Sequence, residues 1–387
     1  MRVASAFLSL LSVLLCAISW NPGASQEGRM PQVQGEEERG RVSYTWIVET
    51  VDSDGEYNPS IVLDSSGSPH IAYGSYGFGL RYAHRVGGTW QREIVEGGRR
   101  KGYADVSLAL DAFEHPHITY WEYTSSTLRY AWNDGTGWYT ETVDNQGERS
   151  SISLDTEGRV HVAYFAGSSL RYAVRSGTSW YTETVDPFPL YGELSLKLDS
   201  SNQPHIIYTM VGQLKYAYRD ESGWHIEEIS ALGGRYVSLA LDSAGRPHFS
   251  CVGDCPSWGL CYVYKDGTGW HAEGVDRGVD IGWGSSLVLD TEDRPYISYY
   301  DDKNDTLRFA YRDGTTWITE TVADENTVWE TTSIVLDELG RPHIAYSGNW
   351  SIKYAFGLPF TLTHHVYLPV LFLSSTDITG RVHRPWW

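Results

Sequence analysis

One stretch governs what this chain can fold into. Residues 151–186, SISLDTEGRVHVAYFAGSSLRYAVRSGTSWYTETVD, recur in recognisable copies about every 45 residues. Each copy holds four short runs in one order: S-[IL]-x-L-D, P-H-I-x-Y, L-[RK]-Y-A and W-x-x-E-[TI]-V. The runs are too short for helices and are built from β-branched and aromatic residues between Gly, Pro and Asp, the pattern of strands bounded by turns. The Leu-Asp pair occurs seven times, at Leu63-Asp64, Leu110-Asp111, Leu154-Asp155, Leu198-Asp199, Leu241-Asp242, Leu289-Asp290 and Leu336-Asp337. The marker Trp also occurs seven times, at Trp46, Trp90, Trp138, Trp180, Trp224, Trp270 and Trp317. A repeat of this length with four strands is the signature of a β-propeller, whose units bury their faces only by stacking around a ring.

The two ends of the repeat region complete each other. The first Trp run, residues 46–51, precedes the first Leu-Asp run, and the last copy, Ser333 to Ala355, lacks a Trp run. Placing 46–51 as the fourth strand of the last copy completes seven blades and removes an open sheet edge. An open solenoid would instead show atypical capping repeats at both ends. The expected fold is therefore all-β: a seven-bladed β-propeller of four-stranded blades over residues 46–356, closed by strand 46–51 in the last blade.

With the strands of a blade lettered A to D in chain order, successive turns alternate ends, so A–B and C–D turns share one face and B–C and D–A loops the other. The A–B spacing is six residues in every blade (Asp64 to His70, Asp290 to Tyr296), and the C–D spacing is eight (Tyr82 to Trp90, Phe309 to Trp317). The B–C spans vary from 11 (His343 to Tyr354) to 14 (His248 to Tyr262), and the D–A spans from 17 (Trp138 to Asp155) to 21 (Trp90 to Asp111). One face is constant and the other variable, and function on a rigid scaffold concentrates in variable loops.

Residues present in every copy point to architecture. The Trp of each G-x-x-W turn is expected to cover the outer end of its blade, burying about 150–250 Å². His70, His117, His161, His205, His248 and His343 share one repeat position, with Tyr296 in the seventh. Zinc needs three or four ligands at about 2.0–2.2 Å from one ion, and equivalent positions around a ring do not converge. Each His is expected to hydrogen-bond within its own A–B hairpin, to the Asp six residues earlier. Cys251 and Cys261 bracket the longest B–C loop, where a disulfide would suit an exported protein. With Cys255 there are three pairings, and each leaves one thiol over.

Departures from the repeat point to function. Just before strand A, six blades carry an aromatic on the variable face, Tyr57, Tyr103, Tyr191, Tyr236, Trp283 and Trp329, and the third carries Arg149. The B–C loops add Tyr76, Phe78, Trp121, Glu122, Tyr123, Trp258 and Trp350. Aromatic faces beside carboxylates, Arg and amides suit a sugar ring, whose CH groups stack and whose hydroxyls hydrogen-bond. The recurrent pre-A aromatics would equally pack the mouth of the ring, which singles out Trp121, Glu122 and Trp350. An enzyme would need Glu122 or the blade-6 carboxylates Asp301, Asp302 and Asp305 in one pocket with Arg149 or Arg99. Lys197 interrupts strand A of blade 4, where other copies have Val, Ala or Ser. The acidic runs at 52–55 and 301–305 do not match an EF-hand loop, so neither a metal nor a cofactor is expected.

With 30 Lys+Arg against 49 Asp+Glu and a net charge of −19, the chain has no electrostatic footprint for nucleic acid. Residues 1–25 read as a secretory signal: Arg2, an apolar run, then Asn21 to Ser25 as a small-residue exit. Residues 26–45 are polar without hydrophobic period and read as a disordered leader, and 357–387 as a tail. The apolar run 366–373 contains Pro369 and is too short to span a bilayer, so no membrane span is expected in the mature chain. The expected location is extracellular.

The C–D turns resemble degenerate Asp-boxes of the BNR, or sialidase-like, β-propellers, whose pattern is S-x-D-x-G-x-x-W. The G-x-x-W half stands at Gly87 to Trp90 and Gly177 to Trp180, while the Asp adjoins the Gly, as in Asp134-Gly135, instead of preceding it by two. The whole repeat also looks like those of secreted, uncharacterised bacterial propellers. The resemblance implies the fold over about four-fifths of the chain. Sialidases of that superfamily use an Arg triad, a Tyr–Glu pair and an Asp, which do not map here: Arg246, Arg294 and Arg341 lie in A–B turns on the constant face. The reading is a non-catalytic propeller that binds a glycan or other extracellular ligand on its variable face. The alternatives are a carbohydrate-active hydrolase or lyase and a protein-interaction scaffold.

Overall fold

The computed structural model describes residues 42–361 except 56, 76–78, 98–102, 189–191, 211–212, 230–232, 256 and 325–330. The expected signal, Tyr76, Phe78, Tyr191, Arg99 to Lys101, Trp329 and the apolar run of the tail lie outside the described residues. Those that are described form seven four-stranded antiparallel sheets and no helix. Six blades are continuous in sequence, at 57–96, 103–144, 148–186, 194–229, 235–277 and 281–324. The seventh joins Thr332–Leu336, Pro342–Gly348 and Ser351–Thr361 to the N-terminal strand Val42–Asp52. In that closure Trp46 lies opposite Gly357 and Glu49 opposite Tyr354. The pairing starts four residues before Trp46 and runs on to Thr361, so both ends of the ring strand are longer than the repeat alone indicates.

Strands A of successive blades contact one another all the way round, which puts them on the axis. An inner edge strand leaves backbone N–H groups unpaired, and the conserved Ser of each A strand answers this across the blade boundary. Ser60 Oγ accepts the Leu108 N–H at 3.1 Å, Ser107 the Ile152 N–H at 3.1 Å, and so on around the ring until Ser333 accepts the Ile61 N–H at 3.2 Å. Next to each Ser, a fully or nearly buried Ile or Leu packs between blades, as Leu108 does against Ala72, Leu80 and Tyr82.

The repeated polar residues are structural. His161 Nε2 lies 3.0 Å from Asp155 Oδ2, and the same pair recurs at His70–Asp64 and His248–Asp242, both at 3.3 Å. The second ring nitrogen, Nδ1, meets the strand C Tyr hydroxyl, as in His248–Tyr262 at 2.5 Å. Blade 6 changes both partners together: Tyr296 donates to Asp290 at 3.3 Å, and Phe309 stands where the Tyr would be. In five blades the marker Trp does more than cover a blade end, because its indole N–H bonds to the Glu of the preceding blade's strand D, whereas those of Trp46 and Trp224 find no partner among the described residues. Trp138 reaches Glu93 and Trp180 reaches Glu141, each at 2.8 Å.

A second brace crosses five interfaces. Tyr208 donates to Asp186 at 2.8 Å while Lys215 bonds the same oxygen at 3.1 Å. Tyr73–Asp52–Arg81, Tyr120–Glu96–Arg129, Tyr164–Asp144–Arg171 and Tyr299–Asp276–Arg308 repeat it. At the blade 4–5 boundary Cys251 and Cys261 stand at the positions of the Tyr and the cation. There the disulfide joins Cys255 to Cys261, six residues apart, and leaves Cys251 a buried free thiol. Cys251 and Cys261, which bracket the loop, are cross-strand neighbours yet not the bonded pair.

Candidate functional site

The variable end of the axis opens into a cavity of about 390 Å³. Every blade gives its wall two or three consecutive residues, among them the one two positions before the conserved Ser: Asn58, Asp105, Arg149, Glu193, Tyr236, Gly284 and Thr331. No two are of the same type. Five of them have left-handed backbones, at φ 43° for Asn58, 51° for Asp105, 49° for Arg149, 56° for Tyr236 and 55° for Gly284. In these five blades the A–B register shifts just before the Ser. A bulge of this kind re-aims a side chain, and here it turns the residue at that position toward the axis.

The mouth is bonded blade to blade. Asn58 Nδ2 donates to Asp105 Oδ1 at 3.3 Å, and the Arg149 backbone N–H donates to the Asp105 carboxylate. Arg149 Nη1 lies 3.9 Å from Glu193 Oε1, and Glu193 accepts the N–H groups of Tyr236 and Val237. Ser285 Oγ donates to the Tyr236 carbonyl at 2.8 Å and Thr332 Oγ1 to that of Gly284 at 2.9 Å. Glu193 Oε2 and Thr331 Oγ1 are buried and find no partner among the described residues. Burial pushes the Asp105 and Glu193 carboxyls above their ordinary range, with Arg149 pulling both back.

The expected site residues divide accordingly. Arg149 and Tyr236 line the axial cavity, and Trp283 stacks on Tyr236 with ring centroids 5.6 Å apart. Tyr57 and Tyr103 sit three and four residues before their Ser, on the far side of the bulge, where they open strands A of blades 1 and 2. The aromatics therefore do not form one ring of equivalent positions, and the axial wall is instead mostly polar. Trp121 lines a separate cavity between blades 2 and 3. Glu122 is buried, and Trp350 is 62% exposed at the B–C turn of blade 7. Neither Glu122 nor the blade-6 carboxylates line the axial cavity with Arg149, whose acidic neighbours are Asp105 and Glu193. Asp301 is instead held by Asn304 and Arg308. Asn58, Asp105, Glu193, Gly284 and Thr331 escaped sequence reasoning, although alignment on the Ser exposes their column as one without consensus.

Lys197 lies farther along the innermost strand of blade 4, toward the constant face. Its side chain is exposed although strand Leu194–Leu198 is innermost, it has no partner among the described residues, and the enclosing protein pushes its ammonium pKa down. Among the described residues no three His, Cys, Asp or Glu side chains converge as a metal site would require.

No protein-family model and no curated protein matches the chain. Solved structures do. A streptogramin B lyase superposes with a TM-score of 0.58 at 11% identity, covering 81% of this chain and 98% of that one. Virginiamycin B lyase from Staphylococcus aureus gives 0.58 at 11% over 83% and 100%. A polysaccharide lyase, PL25 ulvan lyase, solved bound to -[GlcA(1-4)Rha3S]-, gives 0.57 at 13% over 79% and 94%. At such identities the likeness is one of fold, and the fold is the seven-bladed β-propeller.

Proposed function

We propose that this protein is an extracellular, non-catalytic propeller that binds one polar ligand per ring, a glycan or similarly polyhydroxylated molecule, in the axial cavity of its variable face. The observation that carries this reading is the asymmetry of the wall. A scaffold that repeats Ser, Leu-Asp, His and Trp almost without exception presents seven different residue types at one position of the axial wall, two before the repeated Ser. Architecture requires no such variety, whereas recognition of an unsymmetrical ligand does. The Arg149 guanidinium, the Asn58 amide, the unpartnered Glu193 and Thr331 oxygens and the Tyr236–Trp283 stack supply donors, acceptors and an aromatic surface.

A glycan array spanning plant, bacterial and animal saccharides tests it, with Arg149→Ala as the site variant and Trp350→Ala, which is not in the cavity lining, as the comparison. Binding at one site per chain, lost in Arg149→Ala, is expected. Silence across the array overturns the reading. A second reading, a carbohydrate-active hydrolase or lyase, draws support from the two acidic groups with raised pKa values beside Arg149. It requires cleaved or unsaturated products from a bound saccharide, which mass spectrometry would detect.

A further inference from the structure

The cavity between blades 2 and 3, about 300 Å³, opens beside the axial one. Trp121 and Phe165 give it apolar walls, and Gln146, Glu148 and the Ser126 hydroxyl give it polar groups. Gln146 is exposed and Glu148 half-buried, and neither side chain has a hydrogen bond or ion pair among the described residues. The Trp121 indole N–H is buried and equally without an acceptor. Tyr123, 65% exposed, lies edge-on to Trp121 with centroids 5.1 Å apart and extends the aromatic surface outward.

Consecutive residues join the two cavities. Glu148 lines this one and Arg149 the axial one. Burial raises the Glu148 pKa, Arg149 opposes that rise, and Asp105, an axial-wall residue, adds to it. The two cavities thus share one electrostatic environment across a single backbone step. The second has what one sugar ring needs, an aromatic wall with an amide and a carboxyl at its side, and the axial cavity has the polar groups for another.

We infer that the cavity lined by Trp121, Gln146 and Glu148 is a second subsite for the ligand of the axial cavity, so that the ligand is an oligosaccharide spanning at least two units. This rests on the reading of the axial cavity as a saccharide site.

The test compares mono-, di- and trisaccharides of three series by calorimetry: glucose to cellotriose, N-acetylglucosamine to chitotriose, and galacturonate to trigalacturonate. In the series that binds, the disaccharide is expected to bind about tenfold more tightly than the monosaccharide. Trp121→Ala and Gln146→Ala should each erase most of that gain and leave monosaccharide affinity unchanged, whereas Arg149→Ala should weaken both. Gln146 is exposed, so its variant keeps the test open where Trp121→Ala fails to fold. Equal affinities for one and two units, or full disaccharide affinity in both variants, overturn the second subsite while the axial site stands. No binding in any series overturns both.

Discussion

The brace at the boundary of blades 3 and 4 makes a quantitative case. Asp186 is 4% exposed, and it accepts bonds from Tyr208 at 2.8 Å and Lys215 at 3.1 Å. Burial works to raise its pKa, but these bonds and the Phe188 N–H overcome it, and the carboxyl titrates below its ordinary range. Asp186→Ala leaves a mostly buried ammonium without its counter-ion, which costs about 3–5 kcal/mol. Tyr208→Phe removes a single bond to a charged acceptor and costs about 1.5–3 kcal/mol. The triple variant Asp186→Ser, Tyr208→Phe, Lys215→Met removes donor, acceptor and charge together and should cost less than Asp186→Ala alone, because no group is left unpaired. The chain itself replaces the Tyr and the cation together at the next boundary, by Cys251 and Cys261. Urea titration at neutral pH measures all three variants, with unchanged m-values marking comparable unfolding. Because the native pKa is depressed, the stabilisation is complete above the unfolded carboxylate range and is lost as pH falls through the native value. Wild type and Asp186→Ala should therefore converge in acid. A triple variant as unstable as Asp186→Ala, or curves that stay parallel down to acid pH, would refute the reasoning.

Four further outcomes are expected. Asp105 and Glu193 are raised in the native state, so the folded chain holds their protons longer than the unfolded one, and stability falls as pH rises above the ordinary carboxylate range toward their raised native values. Arg149→Met should steepen that fall, as urea midpoints across the range would show. Lys197→Val restores the residue that three other blades carry and removes an unpaired ammonium. It should raise stability by an amount within the ~0.5–2 kcal/mol of consensus changes, read from thermal and urea unfolding at neutral pH. Cys255→Ser opens a short loop and should cost roughly 2 kcal/mol, matched by wild type under reductant. Cys251, buried with its pKa pushed up to about 12, should stay unlabelled by iodoacetamide until the chain unfolds.

Much of the ring was legible before any coordinate. Blade number, closure by the N-terminal strand, the constant and variable faces and the His–Asp hairpin pairs all follow from local spacings, because each depends on residues a few positions apart or on the count of copies. The interface braces were not legible. Tyr208, Asp186 and Lys215 belong to two blades and three strands, and only stacking brings them within 3.1 Å. The disulfide illustrates the same limit: cross-strand neighbours Cys251 and Cys261 invite pairing, yet the chain path of the loop delivers Cys255 to Cys261.

The candidate site shows the division most sharply. The sequence alone determined that exceptions to the repeat lie just before strand A, and it singled out Arg149 among them. Which neighbour of the Ser faces the axis was decided by the tertiary structure. Along a regular strand side chains alternate, so position would give direction, but a bulge before the Ser breaks that alternation. In five blades the residue two before the Ser is turned into a left-handed backbone and onto the axis, and Tyr57 and Tyr103, one and two positions earlier, lie beyond the bulge. Seven such residues, spread over more than two hundred positions of chain, become one polar wall only when the ring closes.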